Sequence, residues 1–229
     1  LHAIQAEQRE YKLREENGVN FQEKTNDKLM ILLEGNIGAG KTTVGRIIAA
    51  SGAFNFIEEP TEVWREGFAS NMLELFYSDA RRWGFTFQMC ALLTRARTWQ
   101  EVSQHSDHRP IILERSVFCD RFVFAENGYR TGLFSLAEYQ LYCGIWDFMV
   151  ANGCAEPGLI LYLRTPAEVC LQRIQERGRA EESSISLEYL LQLERLHDEW
   201  LLDSPKTIVL DGERRWTTEE ALAELKVVI

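Results

Sequence analysis

Gly35-Asn36-Ile37-Gly38-Ala39-Gly40-Lys41-Thr42 is the stretch on which the reading of this chain turns. It fits G-x-x-x-x-G-K-[ST], the phosphate-cradling loop that joins a strand to a helix. The apolar run 29–33 leads into it, and Thr43, Ile47 and Ile48 begin a helical pattern behind it, which is the context the motif requires. Its glycines let backbone N–H groups crowd an anion without Cβ clashes, and the helix starting near Lys41 aims its partial positive end at the same place. Lys41 has the reach for β- and γ-phosphate oxygens, and the Thr42 hydroxyl is a ligand for Mg²⁺.

Working outward, short apolar runs recur at 54–57, 111–113, 159–163 and 208–210, of a length and composition suited to buried parallel strands. Helix signals lie between them. Ser135-Leu136-Ala137-Glu138, Thr165-Pro166-Ala167-Glu168 and Thr217-Thr218-Glu219-Glu220 all read as capping boxes, the second with Pro at the first helical position. Strands alternating with helices predict an α/β fold: a doubly wound, five-stranded parallel sheet with helices on both faces. Residues 1–27 read as a polar tail with one helix around 7–16, and 28–229 as a single domain.

The bulk properties narrow the function classes. A net charge of −10 over 229 residues disfavours nucleic acid as a partner, so the phosphate loop serves a small nucleotide better than a helicase. The five cysteines are scattered and none forms C-x-x-C, which argues against a zinc site or a disulfide framework and suits a reducing, cytoplasmic setting. No apolar run reaches the length of a membrane span, and the Glu- and Gln-rich start does not resemble a targeting peptide; a mitochondrial location would need a leader ahead of Leu1.

In an open parallel sheet, ligands lie beyond the carboxyl ends of the strands. Glu58-Glu59-Pro60 and Glu114-Arg115-Ser116 follow the second and third runs, so both bring carboxylates to the phosphate loop. A carboxylate there takes a proton from an attacking hydroxyl or holds Mg²⁺, and an adjacent Arg offsets charge on a moving phosphoryl group. Gln88, Ala91 and Arg95 are spaced to share one helix face, a mixture of amide, small side chain and guanidinium that suits a nucleobase edge better than a core stripe. Asp120 and Phe124 share another face, and Phe87 and Phe124 offer stacking surfaces, with plain core packing the competing role. Arg173 and Arg177 are helical neighbours whose repulsion calls for an anion between them. The polar, Gly-containing stretch after them reads as a lid.

GNIGAGKT, EEPTEVW, RRWGFTFQ, ERSVFCDRF and the R-x-R-x-x-E-E stretch followed by LEYL together resemble the deoxyribonucleoside kinases, in order, over about residues 30–202. The resemblance implies a P-loop kinase fold with an Arg-rich lid and transfer of a phosphoryl group from Mg-ATP to the 5′-hydroxyl of a deoxynucleoside. It implies Glu59 as the proton acceptor, Glu114 as Mg²⁺ ligand or proton-sharing partner, and Arg115 as the group steadying the 5′-oxygen. Gly35, Asn36, Ile37, Gly38, Ala39, Gly40, Lys41, Thr42 and Thr43 would bind ATP together with Arg173, Arg177 and Arg179 of the lid. Tyr77 and Glu182 would hold the 3′-hydroxyl, Gln88 would read the base, Phe124 would stack on it, and Trp64, Phe87 and Ala91 would wall it. Relatives that prefer thymidine lack the pair found here as Arg95 and Asp120, which implies a preference for deoxycytidine or purine deoxynucleosides. Phe76, where some relatives carry Met, is expected to narrow the pocket, and the loop 211–215 falls where the family meets adenine, with a poor match.

Two rival readings remain. A nucleoside-monophosphate kinase needs extra cations for an acceptor phosphate, whereas Glu59 and Tyr77 suit a neutral hydroxyl. A non-catalytic structural relative would not need Lys41, Thr42, Glu59, Glu114 and Arg115 together. The absence of N-K-x-D disfavours a regulatory GTPase. Relatives are usually homodimers packed through helices, and the aromatic-rich segment 139–148, with Tyr142 and Trp146, is a candidate face, with core packing an equal explanation.

Overall fold

Five strands pair in one sheet in this computed structural model, which describes residues 29–104, 107–154 and 156–226. They are β1 (Met30–Glu34), β2 (Asn55–Ile57), β3 (Ile111–Glu114), β4 (Leu159–Arg164) and β5 (Thr207–Asp211). Their order is β2-β3-β1-β4-β5 and every pairing is parallel. The chain moves to one side of β1 for β2 and β3 and to the other for β4 and β5, so the crevice at the carboxyl end of β1 is the switch point where ligands bind such sheets. The polar tail and the helix expected at 7–16 lie outside the described residues.

The alternation of side chains along β1 divides the core. Ile31 and Leu33 point into one layer with Val44, Ile48, Cys170 and Leu190, while Leu32 points into the other with Leu92, Trp99, Tyr142 and Trp146. All three β1 side chains are fully buried, each contributing about 2 kcal/mol relative to exposure. The edge strands differ from the expectation of full burial. β2 is half-buried throughout and Val209 of β5 is largely exposed, because an edge strand has a neighbour on one side only.

The helices are α1 (Lys41–Ala49), α2 (Thr61–Glu66), α3 (Met72–Ser78), α4 (Ala80–Ser103), α6 (Leu136–Ala151), α7 (Ala167–Arg177), α8 (Leu187–Leu201) and α9 (Thr218–Lys226). Between β3 and α6 runs α5, made of Val117–Cys119, a π-helical turn Asp120–Ala125 and Glu126–Arg130. A 3₁₀ turn, Ala180–Glu182, follows α7. Ser135 and Glu138 form the expected reciprocal cap of α6. Thr217 and Glu220 do the same at α9, with Thr217 N–H donating to the carboxylate at 2.9 Å and Glu220 N–H to the hydroxyl at 3.3 Å.

The Thr165 box does not form. Pro166 is the cap residue of α7, the Ala167 N–H goes to Glu194 at 2.8 Å, and the Thr165 hydroxyl donates instead to the Ala39 carbonyl at 3.1 Å. The two roles open to the segment 139–148 divide between its two sides. Tyr139, Tyr142 and Trp146 of α6 face the core, and the side chains it turns outward are Leu136, Leu141 and Phe148, the last 67% exposed.

Candidate active site

The phosphate loop packs so closely on its neighbours that two glycines are obligatory. A Cβ at Gly35 would lie 2.6 Å from the Leu163 carbonyl, and one at Gly38 would lie 2.5 Å from that of Cys170; both residues have positive φ. Asn36 fixes the loop from below, donating to Leu190 O and accepting from Ile37 N–H, each at 2.9 Å. Ala39 turns its carbonyl to Thr165 and to Arg173, whose guanidinium donates at 2.9 Å. Lys41 is buried and folds back on the loop, donating to Gly35 O at 3.2 Å and Asn36 O at 2.9 Å. Burial, and secondarily repulsion by Arg115, lowers its ammonium to about 8, partly offset by Glu114 and Glu59.

Strand β3 ends in a sharp turn. Arg115 has φ 65°, the one non-glycine residue in the left-handed region among those described, at a cost of about 1–2 kcal/mol. Its N–H continues the β1 pairing to Leu33 O, and Ser116 then caps α5 by accepting from Phe118 and Cys119 N–H. The turn directs Glu114 and Arg115 to different partners. Glu114 accepts from the Thr42 hydroxyl, both oxygens at 2.9 Å. Arg115 Nε reaches Glu59 at 3.1 Å, with its guanidinium 4.9 Å above the Phe124 ring.

Glu59 therefore stands between two cations, because Arg95 of α4 also donates to it. Burial alone would raise its carboxyl, but Arg115, Arg95 and Lys41 together hold it below the usual value, so it is ionised at neutral pH. Arg95 bridges onward to the fully buried Asp120, which also accepts from Gln88 Nε2 at 3.0 Å. Gln88, Ala91 and Arg95 do share one face of α4, and that face lines the cleft, with Ala91 also packed in a small apolar cluster with Trp64, Met72 and Leu73. Trp64 is held by a hydrogen bond from Nε1 to Thr94 at 2.8 Å and meets Phe87 edge-on at 5.5 Å; Phe87 in turn stacks on Phe76 at 5.0 Å.

One cleft of about 460 Å³ joins these groups. Glu59, Trp64, Tyr77, Phe87, Gln88, Ala91, Arg95, Arg115, Asp120, Phe124 and Glu182 all line it, as do Ile37, Gly38, Gly40, Lys41, Thr42, Thr43, Glu114, Arg173, Arg177 and Arg179. Gly35, Asn36 and Ala39 do not; they support the loop from behind. The lid arginines meet carboxylates and carbonyls of the protein itself. Arg177 and Arg179 pair with Glu182 at 2.7 and 3.2 Å, and Arg173 with Ala39 O, which answers the repulsion expected between Arg173 and Arg177. Tyr77 keeps its phenolic proton, since burial lifts it far above its ordinary value.

Several lining residues had no role of their own in the sequence reading, although Glu58 was expected near the phosphate loop. Tyr189 reaches the cleft from α8, and Arg46 and Glu58 form a bidentate pair at its mouth (2.6 and 2.8 Å). Leu133, Phe134 and Gly128 close the far end. Beneath the site, Glu34 accepts from Ser116 at 2.5 Å, and Cys119 Sγ lies 3.7 Å from His197 Nε2. Burial raises the Glu34 carboxyl and the Cys119 thiol and lowers His197 to about 3, so it favours the uncharged form of each group and leaves the imidazole neutral beneath the turn that carries Arg115.

The oxygen donors fit Mg²⁺. Thr42 Oγ1 and the Glu114 carboxylate are 2.9 Å apart, close to the edge of about 3 Å between neighbouring ligands of an octahedral Mg²⁺.

Residues 31–228 match the family model described as deoxynucleoside kinase. The chain is 38% identical over 177 residues to human mitochondrial thymidine kinase 2, covering 76% of this chain and 65% of that protein. It is 37% identical over 195 residues to mouse deoxycytidine kinase, 75% of each chain, and 35% identical over 174 residues to a probable deoxycytidine kinase of fowlpox virus, 76% and 72%. The chain thus spans just under two thirds of the length of the mitochondrial thymidine kinases it matches.

Proposed function

The chain belongs to the deoxynucleoside kinase family, and from that premise we propose that it transfers the terminal phosphoryl group of ATP to the 5′-hydroxyl of a deoxynucleoside. One observation carries the reading: an ionised, buried carboxylate, Glu59, held between Arg115 and Arg95 in the same cleft as the phosphate loop. Glu59 accepts the hydroxyl proton as the bond to phosphorus forms. Arg115 stabilises charge on the transferred group, and its partial desolvation makes that interaction strong. Lys41 turns from the Gly35 and Asn36 carbonyls to the β- and γ-phosphates, which restore the proton affinity that burial lowers. Arg173, Arg177 and Arg179 close over the phosphates from the lid, and Tyr77 and Glu182 orient the 3′-hydroxyl. Thr42 and Glu114 would hold Mg²⁺, which supplies neutralisation of the β- and γ-oxygens when bound.

The acceptor is a neutral alcohol. Both arginines on the acceptor side, Arg95 and Arg115, already pair with Glu59, which leaves little positive charge for the phosphate of a nucleoside monophosphate. The base preference follows from Gln88, Arg95 and Asp120. With Gln88 Nε2 and Arg95 directed at Asp120, the amide oxygen of Gln88 and the carboxylate remain to accept from an exocyclic amine, and the guanidinium occupies volume a 5-methyl group would need. Deoxycytidine and purine deoxynucleosides are preferred over thymidine. The protein is a homodimer through the outward face of α6, where Leu141 and Phe148 are exposed; sedimentation of Phe148→Asp as a monomer would support this, and an unchanged mass would refute it.

The test is a panel of Mg-ATP with each deoxynucleoside and each monophosphate in turn, products identified by mass and phosphorus NMR. A 5′-monophosphate from deoxycytidine or a purine deoxynucleoside is expected. Turnover of monophosphates alone would transfer the chain to the rival kinase class.

A further inference from the structure

The lid carries two adjacent carboxylates that face different ways. Glu182 pairs with Arg177 and Arg179, within the lid. Glu181 instead reaches from the lid to Arg65 of α2 at 2.7 Å, the Arg65 side chain 26% and the Glu181 side chain 16% exposed, both partly withdrawn from solvent. Arg65 follows Trp64 directly. Trp64 is buried, bonded through its indole to Thr94, and lies 5.0 Å beneath the guanidinium of Arg95, which holds both Glu59 and Asp120. An unbroken series of contacts therefore runs from the lid to the wall of the acceptor pocket and to the carboxylate beside it.

We infer that Arg65 and Glu181 are a positioning pair that couples the two substrates: closing the lid over ATP seats Arg65, fixes the Trp64 wall and tightens nucleoside binding. This rests on the kinase reading above. An exposed ion pair would contribute little by itself, but this one joins the lid to α2, so an opening that parts them breaks it and its energy then favours the closed state. Linkage makes the effect reciprocal: nucleoside must tighten ATP binding by the same factor. The Arg65 Nε, buried and without a partner among the described residues, makes the carboxylate its chief anchor and leaves Arg65 poorly held when the lid is open.

The experiment is calorimetric titration of deoxycytidine into the full chain, without and with a saturating non-hydrolysable Mg-ATP analogue. It compares wild type, Arg65→Gln, Glu181→Gln and the exchanged pair Arg65→Glu with Glu181→Arg. Wild type is expected to bind deoxycytidine about tenfold more tightly with the analogue, within the usual range of coupling. Each single variant should bind it within about twofold of wild type when the analogue is absent and lose most of the gain, and the exchanged pair should recover it. Single variants that keep the gain, or that weaken binding equally in both conditions, would overturn the coupling role, as would a wild type with no gain. Phosphorylation of deoxycytidine by wild type, measured in parallel, separates the two claims. Turnover with unaltered coupling in the variants removes only the pair, whereas a wild type that neither binds nor phosphorylates it removes the kinase reading as well.

Discussion

The two ends of the cleft are built differently. The donor end is founded on one contiguous stretch, 35–43, in which glycine geometry, a lysine and a hydroxyl follow one another along a loop and the first turn of α1, with the lid arginines and Glu114 added to it. The acceptor end is assembled from side chains that are distant in sequence: Arg95 meets Glu59 across 36 positions and Asp120 across 25. The donor end recognises a phosphate chain common to many reactions. The acceptor end rests on buried ion pairs, where losing one partner strands the other, so it is both specific and easily broken. Damage at the acceptor end should fall on turnover and choice of base, and damage at the donor end on ATP affinity.

The largest effect should come from Glu59→Gln. Turnover is expected to fall by about a hundredfold or more, the scale of a lost general base, while ATP affinity measured by calorimetry stays close to wild type. Near-normal turnover would take Glu59 out of the mechanism. At the other end, Gly38→Ala forces a Cβ to 2.5 Å from Cys170 O at a positive φ. A strain of this kind should weaken ATP by about tenfold or more and leave deoxynucleoside binding without ATP within twofold. Equal losses for both substrates would erase the distinction between the two ends.

Base choice sharpens the comparison further. Arg95→Met combined with Asp120→Ala removes both partners of a buried pair, so neither charge is stranded. The ratio of kcat/KM for thymidine to that for deoxycytidine should rise by about tenfold. Unchanged ratios would detach base preference from this pair.

The smallest effect is in pH dependence. Lys41 is lowered to about 8 in the free protein, so it is cationic below that pH and loses its proton above it. ATP affinity should fall several-fold between pH 8 and 9 with proton uptake on binding, because the phosphates favour the charged lysine. Glu59 is held below the ordinary carboxylate range, so the acid limb of turnover should lie below that range too. A flat ATP affinity through pH 9 would contradict the burial of Lys41.

The difference between the two ends also explains what was legible in the sequence. A local motif reads directly, and so do the inner strands, whose apolar runs reflect burial on both faces. The acceptor residues were legible as candidates, since Glu59, Arg95, Arg115 and Asp120 all line the cleft, and the resemblance gave Arg95 and Asp120 as a pair; the second pairing of Arg95, with Glu59, was not legible, because nothing in a linear spacing of 36 positions shows which charges meet. Thr165 was misread as a cap because its hydroxyl had a tertiary acceptor, Ala39 O, that outcompetes the local N–H. The two roles left open for the α6 segment were not separable, because composition does not show which side of a helix faces the core; Tyr142 is buried and Phe148 is not. The bridge from Arg65 to Glu181 and the approach of Tyr189 depend on how α2, the lid and α8 pack together, and no local signal carries that.

The account stands or falls on where the acceptor hydroxyl sits. A crystal structure with deoxycytidine and a non-hydrolysable ATP analogue should show the sugar 5′-oxygen within hydrogen-bond distance of Glu59 and roughly in line with the terminal phosphate. A sugar bound with its 5′-oxygen remote from Glu59, or facing away from the phosphate loop, would contradict it.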